Sequence, residues 1–422
     1  MYSQRRTSVV AVVVLLFVLT FTMCASAAKL RIFGGTGASG RAWSAVVEKF
    51  QKDTGIEVEL LQFPYAELRE KLLFELSTGS SSLDVVIVDD LIWLADLYKF
   101  MEPLEPFIEK TGYDLSQNLE SMVNLFKWTD DNGDEHIYAL PARVGGRALI
   151  YRKDLIPEPP RTFEELLEIA IDITKNNPGM YGYVASMSQH TDMVADYLPF
   201  LRGFGADVFS EDLTRPIFNS PEGLAATQFF VDLYQKYEVV PKGAVTYNHD
   251  GTILAMQQGL AAMTISYSPY IHEMNDPEKS PYAGTFAMAP YIPYAKDSGL
   301  ETGVSTLSGW GFGISKFSHN KDLAWEFVQY VAKTETQLWL AIEHGNAPTA
   351  KAVFSNPEYL AIDPFAETVL EVYAHGAPRP AGNKWVQVED VLAAEISAAL
   401  AGEKTVEQAL QDAEQRVLRI LR

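Results

Sequence analysis

Between residues 30 and 88 the chain alternates short apolar runs with amphipathic stretches, and this alternation restricts the fold more than any other feature. Residues 30–33 read as a short strand and residues 34–40 as a glycine-rich turn. Trp43, Val46, Val47 and Phe50 recur at i, i+3, i+4 and i+7, one face of a helix that should stop at Gly55. Residues 56–63 form the next strand, 66–78 another helix, and 85–88 a strand of the fully buried type. A βαβαβ order predicts an α/β fold with a mostly parallel sheet covered by helices on both faces.

The segment before this alternation has the grammar of an export signal. Arg5 and Arg6 give a basic start, residues 9–21 are almost unbroken apolar sequence, and Ala25, Ser26 and Ala27 are small residues at a cleavage position. The apolar run is short for a membrane span of about 20 residues, although an uncleaved anchor is the alternative. Residues 1–27 are therefore expected to be a signal peptide, and the folded part to work in the periplasm or outside the cell. Nucleotide and coenzyme pools are absent there, which removes most intracellular enzyme readings. The single cysteine, Cys24, falls inside the signal. It either leaves with the signal or becomes a lipid anchor; Phe21, Thr22 and Met23 fit a lipidation motif poorly, so discard is expected.

The formal net charge is −21, and loss of Arg5 and Arg6 makes it more negative by two. Such a chain repels nucleic acid. The residues after position 27 exceed what one core usually supports, so two lobes are expected. Thr162 with Glu165, Ser220 before Pro221, and Thr405 with Gln408 mark helix starts. Asn132-Gly133 marks a tight hairpin. Residues 291–309 are proline- and glycine-bearing and suit a connection between lobes.

Several motifs invite chemical readings. Residues 35–40 (GTGASG) match GxGxxG between a strand and a helix. Gln62 and Phe63 end the second strand, so no acid sits there to hold a ribose, and a nucleotide site is set aside. The backbone N–H groups of the turn could still face a cleft. Asp89 and Asp90 end a strand where open α/β sheets bind ligands, and either could accept bonds from sugar hydroxyls or cap a helix. The histidines are scattered, with no HExxH and no GxSxG, so neither a metal nor a cofactor is expected. The run 130–134 (DDNGD) lacks EF-hand spacing and reads as a solvated hairpin. Trp43, Tyr65, Trp93, Tyr267, Trp310 and Trp385 lie near element junctions, where a ring can pack on the C–H face of a pyranose or simply fill the core.

Eight fragments in order resemble one family. They are DVVIVD at 84–89, LEP at 104–106, YALP at 138–141 with LIYRKDL at 149–155, PRTFEEL at 160–166, QGLAAM at 258–263, SGWGFGIS at 308–315, AWEF at 324–327 and ALAGEK at 399–404. The chain resembles the extracellular solute-binding proteins of ABC importers, in their large carbohydrate-binding group. The resemblance implies two α/β lobes with ligand between them: 28–139 plus 306–347, and 140–305 plus 348–422. Crossings are then expected near 138–141, 303–308 and 345–348. It implies that Trp310 stacks on ligand, that Arg379 contacts hydroxyls, and that Tyr267, Asp90 and Trp43 line the cleft; the candidate ligand site also takes in Asp89, Tyr65 and Gly309. Arg143 and Arg147 stand where some disaccharide binders carry an aromatic and an aspartate. They could hold an acidic sugar, or one of them could pair with a structural acid. The implied function is carbohydrate capture by a monomer that delivers to membrane permease subunits, without catalysis. A secreted carbohydrate-active enzyme and a sensor subunit are the alternatives.

Overall fold

The computed structural model describes residues 29–210, 212–380 and 384–422, so the export segment and Cys24 lie outside the described residues. Strands β1 (Lys29–Gly35), β2 (Glu57–Phe63) and β3 (Val85–Asp89) alternate with helices Gly37–Thr54 and Tyr65–Ser77. β1 pairs in parallel with both other strands. All five residues of β3 are buried, as a strand covered on both faces requires. Trp43, Val46, Val47 and Phe50 face the core together. Gly55 ends their helix at φ 76°, where its N–H bonds the carbonyl of Gln51; a left-handed cap favours glycine.

The remaining strands are β4 (Lys127–Thr129), β5 (Glu135–Ile137), β6 (Leu140–Arg152), β7 (Tyr181–Tyr183), β8 (Ala261–Tyr267), β9 (Phe286–Met288), β10 (Ser305–Ile314) and β11 (Gly376–Pro378). The sheet runs β2-β1-β3-β10-β6-β8-β7, with β11 on β10 and β9 on β6. β1, β2 and β3 pair in parallel, as do β7 with β8 and β10 with β11. The two long strands, β6 and β10, run antiparallel to their main neighbours. β6 changes partner along its length. Its first half, up to Gly146, pairs with β10, and Arg147 to Tyr151 pair with β8.

The helix starts form as their sequences predict. Thr162 Oγ1 accepts from the Glu165 N–H, but the Glu165 carboxylate takes the N–H of Arg161, one residue outside a closed capping box. Thr405 and Gln408 form the complete box. The hairpin β4–β5 turns through 130–134, where the Asp130 carboxylate accepts the N–H groups of Asn132 and Asp134. That acidic run is satisfied by its own backbone.

Candidate ligand site

Asp89 and Asp90 lie where β3 ends and helix Asp90–Leu97 begins. Asp90 turns the chain at φ 39°, a conformation costly for a residue with a Cβ. It is held there from several sides. Its carboxylate accepts the N–H of Ile92 at 3.0 Å and the N–H of Gly309. Arg379 donates to it twice, from Nε at 3.2 Å and Nη2 at 2.7 Å. The same Nη2 reaches Asp89 at 3.5 Å, and the Tyr65 hydroxyl donates to Asp89 at 2.5 Å. Two acids, one guanidinium and one phenol thus form one cluster.

The cluster cannot hold two full negative charges at ease. Burial, and then the neighbouring charge of Asp90, push the Asp89 carboxyl up to about 7, against the pull of Arg379 and Tyr65. Burial raises Asp90 too, against the pull of Arg379 and of the Ile92 and Gly309 N–H groups, so the coupled pair holds a proton more readily than a free carboxylate does.

Trp310 stands in register between Asp89 on β3 and Arg143 on β6. Its ring is half-buried and meets two others edge-on, Trp93 at 5.3 Å and Tyr65 at 5.8 Å. Trp93 is fully buried and sets the wall behind Trp310, whereas Tyr65 is 52% exposed. Edge-to-face contacts fix the relative orientation of the three rings. Gly309 supplies backbone only. A Cβ there would fall 2.3 Å from the Arg143 carbonyl, so the glycine lets β10 and β6 close up and aims its N–H at Asp90. Tyr267 ends β8 opposite Arg147, and its hydroxyl lies over Gly145, where a Cβ would come within 2.0 Å of it. Gly145 is itself opposite Ser308 on β10.

Two expectations need correction or narrowing. Trp43 is not a cleft residue. It is 1% exposed and packs edge-on against Phe312 at 5.1 Å, because it shares the core-facing stripe of its helix. Arg147 is committed to structure: it pairs with buried Asp196 at 3.3 Å and lies 2.9 Å from His249. Arg143 lines a separate cavity of about 350 Å³ with Ser268, His272, Asn346 and Tyr373. The GxGxxG glycines serve packing. A Cβ on Gly40 would meet the Gly35 carbonyl at 2.3 Å, and Gln62 bridges the two carbonyls. The N–H of Thr36 is used by Phe63. Sequence reasoning named Trp93 only as a junction aromatic; its place three residues after Asp90 was the available signal.

The profile of the family described as bacterial extracellular solute-binding protein matches residues 34–338. The chain belongs to that family. Its fold is the two-lobed α/β fold of such binding proteins. The maltose-bound MalE3 of T. maritima is 31% identical, with a TM-score of 0.75 over 94% of this chain and 100% of that one. A solute-binding protein of Thermotoga lettingae bound with alpha-D-tagatose is 27% identical, with a TM-score of 0.71 and the same coverage. A probable ABC transporter-binding protein of Deinococcus radiodurans is 24% identical over 388 residues, 88% of this chain and 89% of that one. In this solute-binding protein no helix among the described residues is long and apolar enough to cross a membrane. No group of metal-ligating side chains is gathered among them either.

Proposed function

We propose that this solute-binding protein captures a sugar or polyol outside the cytoplasm and delivers it to the permease of an ABC importer. The observation that carries the reading is the half-buried Trp310 ring beside the Asp89–Asp90–Arg379 cluster. A ring face suits the C–H side of a sugar, and the carboxylates and guanidinium suit its rim hydroxyls. Relatives solved with maltose and with alpha-D-tagatose support the ligand class. The acidic-sugar reading loses one of its two cations, because Arg147 is already paired with Asp196.

The lobes are 28–139 plus 306–347 and 140–305 plus 348–422. The partner change of β6 between Gly146 and Arg147 supports a crossing in that strand, a few residues later than 138–141. The protein acts as a monomer, does no chemistry on its ligand and does not bind nucleic acid. A ligand of micromolar affinity supplies about −8 kcal/mol. That is enough to close two lobes if most of the gain arises only in the closed form.

A thermal-shift screen of neutral sugars, polyols and uronic acids against the purified chain tests this. A neutral sugar or polyol should raise the melting temperature without being turned over. A screen in which none does so, or in which product appears, sinks the proposal.

A further inference from the structure

The cavity of about 350 Å³ that Arg143 lines is not part of the Asp89–Asp90–Arg379 cluster, yet it borders the candidate site on two sides. Arg143 stands in register with Trp310, so the two side chains leave the sheet on the same face. Ser268, another lining residue, follows Tyr267 in the chain, and its N–H bonds the Gly146 carbonyl at 2.8 Å. The cavity therefore begins next to both aromatic candidates.

A fault in packing does not explain a space of this size. Core voids larger than a water are few, and one water takes about 30 Å³. The walls are also mixed. Pro269, Pro348, Phe354 and Val369 supply apolar surface. Donors and acceptors come from the Arg143 guanidinium, from the Ser268 and Tyr373 hydroxyls, 2.6 Å apart, and from the His272–Asp363 pair at 3.4 Å. Asp363 is held in place by the Phe365 N–H at 2.9 Å and the Tyr359 hydroxyl at 3.1 Å. Ligand pockets have this form, apolar walls with a few positioned polar groups, from about 300 Å³ upwards. The lining comes from both proposed lobes: Ala341 and Asn346 from one, Ser268, His272 and Asp363 from the other.

We infer that the ligand is an oligosaccharide of at least two rings, one against Trp310 and the next in this cavity. The inference rests on the carbohydrate reading above and adds ligand size to it. A monosaccharide or short polyol would fill the first place and leave the second to water. The second ring would touch both lobes, so its contacts favour the closed state.

The test is calorimetric titration of the full chain with D-glucose, D-galactose, D-mannose and D-xylose, with a panel of their α- and β-linked disaccharides, and with ribitol and D-mannitol. At least one disaccharide should bind tenfold or more tighter than each of its component monosaccharides. Ala347→Trp, at a half-buried position on the cavity wall, should reduce that ratio to threefold or less. His272→Ala removes a side chain that is 48% exposed, and should lower the ratio at least threefold. It decides the matter where Ala347→Trp does not fold. A monosaccharide or polyol that binds as tightly as every disaccharide overturns the inference and leaves the carbohydrate reading standing. So does a ratio unchanged in folded Ala347→Trp or, failing that variant, in His272→Ala. If the wild type binds no sugar or polyol at all, the carbohydrate reading falls and takes this inference with it.

Discussion

Single residues divide here into those that hold the site and those that meet the ligand. Trp310 is proposed for the second kind: it is half-buried and meets Trp93 and Tyr65 at near-right angles. Trp310→Ala should weaken ligand binding by about 1–3 kcal/mol with little change in fold; titration calorimetry reads the loss, and unchanged affinity removes the ring from the site. Asp89 is proposed for both kinds, and its titration is measurable. Its folded carboxyl lies near 7, well above the ordinary carboxylate value, so between those limits the folded state holds a proton that the unfolded chain has released. Stability from this group is complete at low pH and is lost as pH rises through about 7. The ligand-free melting temperature should fall from pH 5.5 to pH 8, and Asp89→Asn should flatten that slope; an identical slope in the variant would count against the assignment. How these residues read from sequence depended on distance. Asp89 and Asp90 were visible at a strand end. Trp43 was misplaced because helical periodicity cannot tell a core-facing stripe from a cleft-facing one. The partner of Arg147 is Asp196, on a different element, and no local pattern links them.

At the scale of elements, local physics was legible and strand pairing was not. The opening βαβαβ, the Gly55 stop and the Thr405 capping box each rest on residues within one turn or one strand of each other. β6 could not be read in the same way. Its thirteen residues carry two glycines and three arginines inside a buried strand, and its partners come from segments over a hundred residues away. The glycines mark where backbones nearly touch. Gly309 is the clearest case, because the obstacle to a Cβ is the Arg143 carbonyl and not a side chain that could swing aside. Gly309→Ala should push β10 from β6, costing about 1–3 kcal/mol in a urea unfolding series. It should also weaken ligand binding, since the Gly309 N–H and Trp310 would move away from Asp90 and Asp89. A variant with wild-type midpoint and wild-type affinity would show that β6 and β10 can separate freely.

For the whole molecule, the arrangement of these strands makes closure a specific claim. β10 carries Trp310 against β3, while β6 passes from β10 to β8, whose last residue is Tyr267. Candidate contacts therefore stand on both sides of the β6 partner change: Trp310, Asp89, Asp90 and Tyr65 on one, Tyr267 on the other. A ligand that touches only the first group gains nothing from a smaller angle between the lobes. One that also reaches Tyr267 favours the closed state by the free energy of that added contact. The radius of gyration measured by small-angle scattering should therefore fall on addition of a neutral ligand, along the same isotherm as binding. Trp310→Ala should shift that isotherm to higher concentration yet reach the same compact end point, because the ring belongs to one side only. Tyr267→Ala should bind more weakly and also compact less at saturation, because the lost contact is one that rewards closure. Saturation by ligand with no change in dimensions would leave capture standing and remove the hinge.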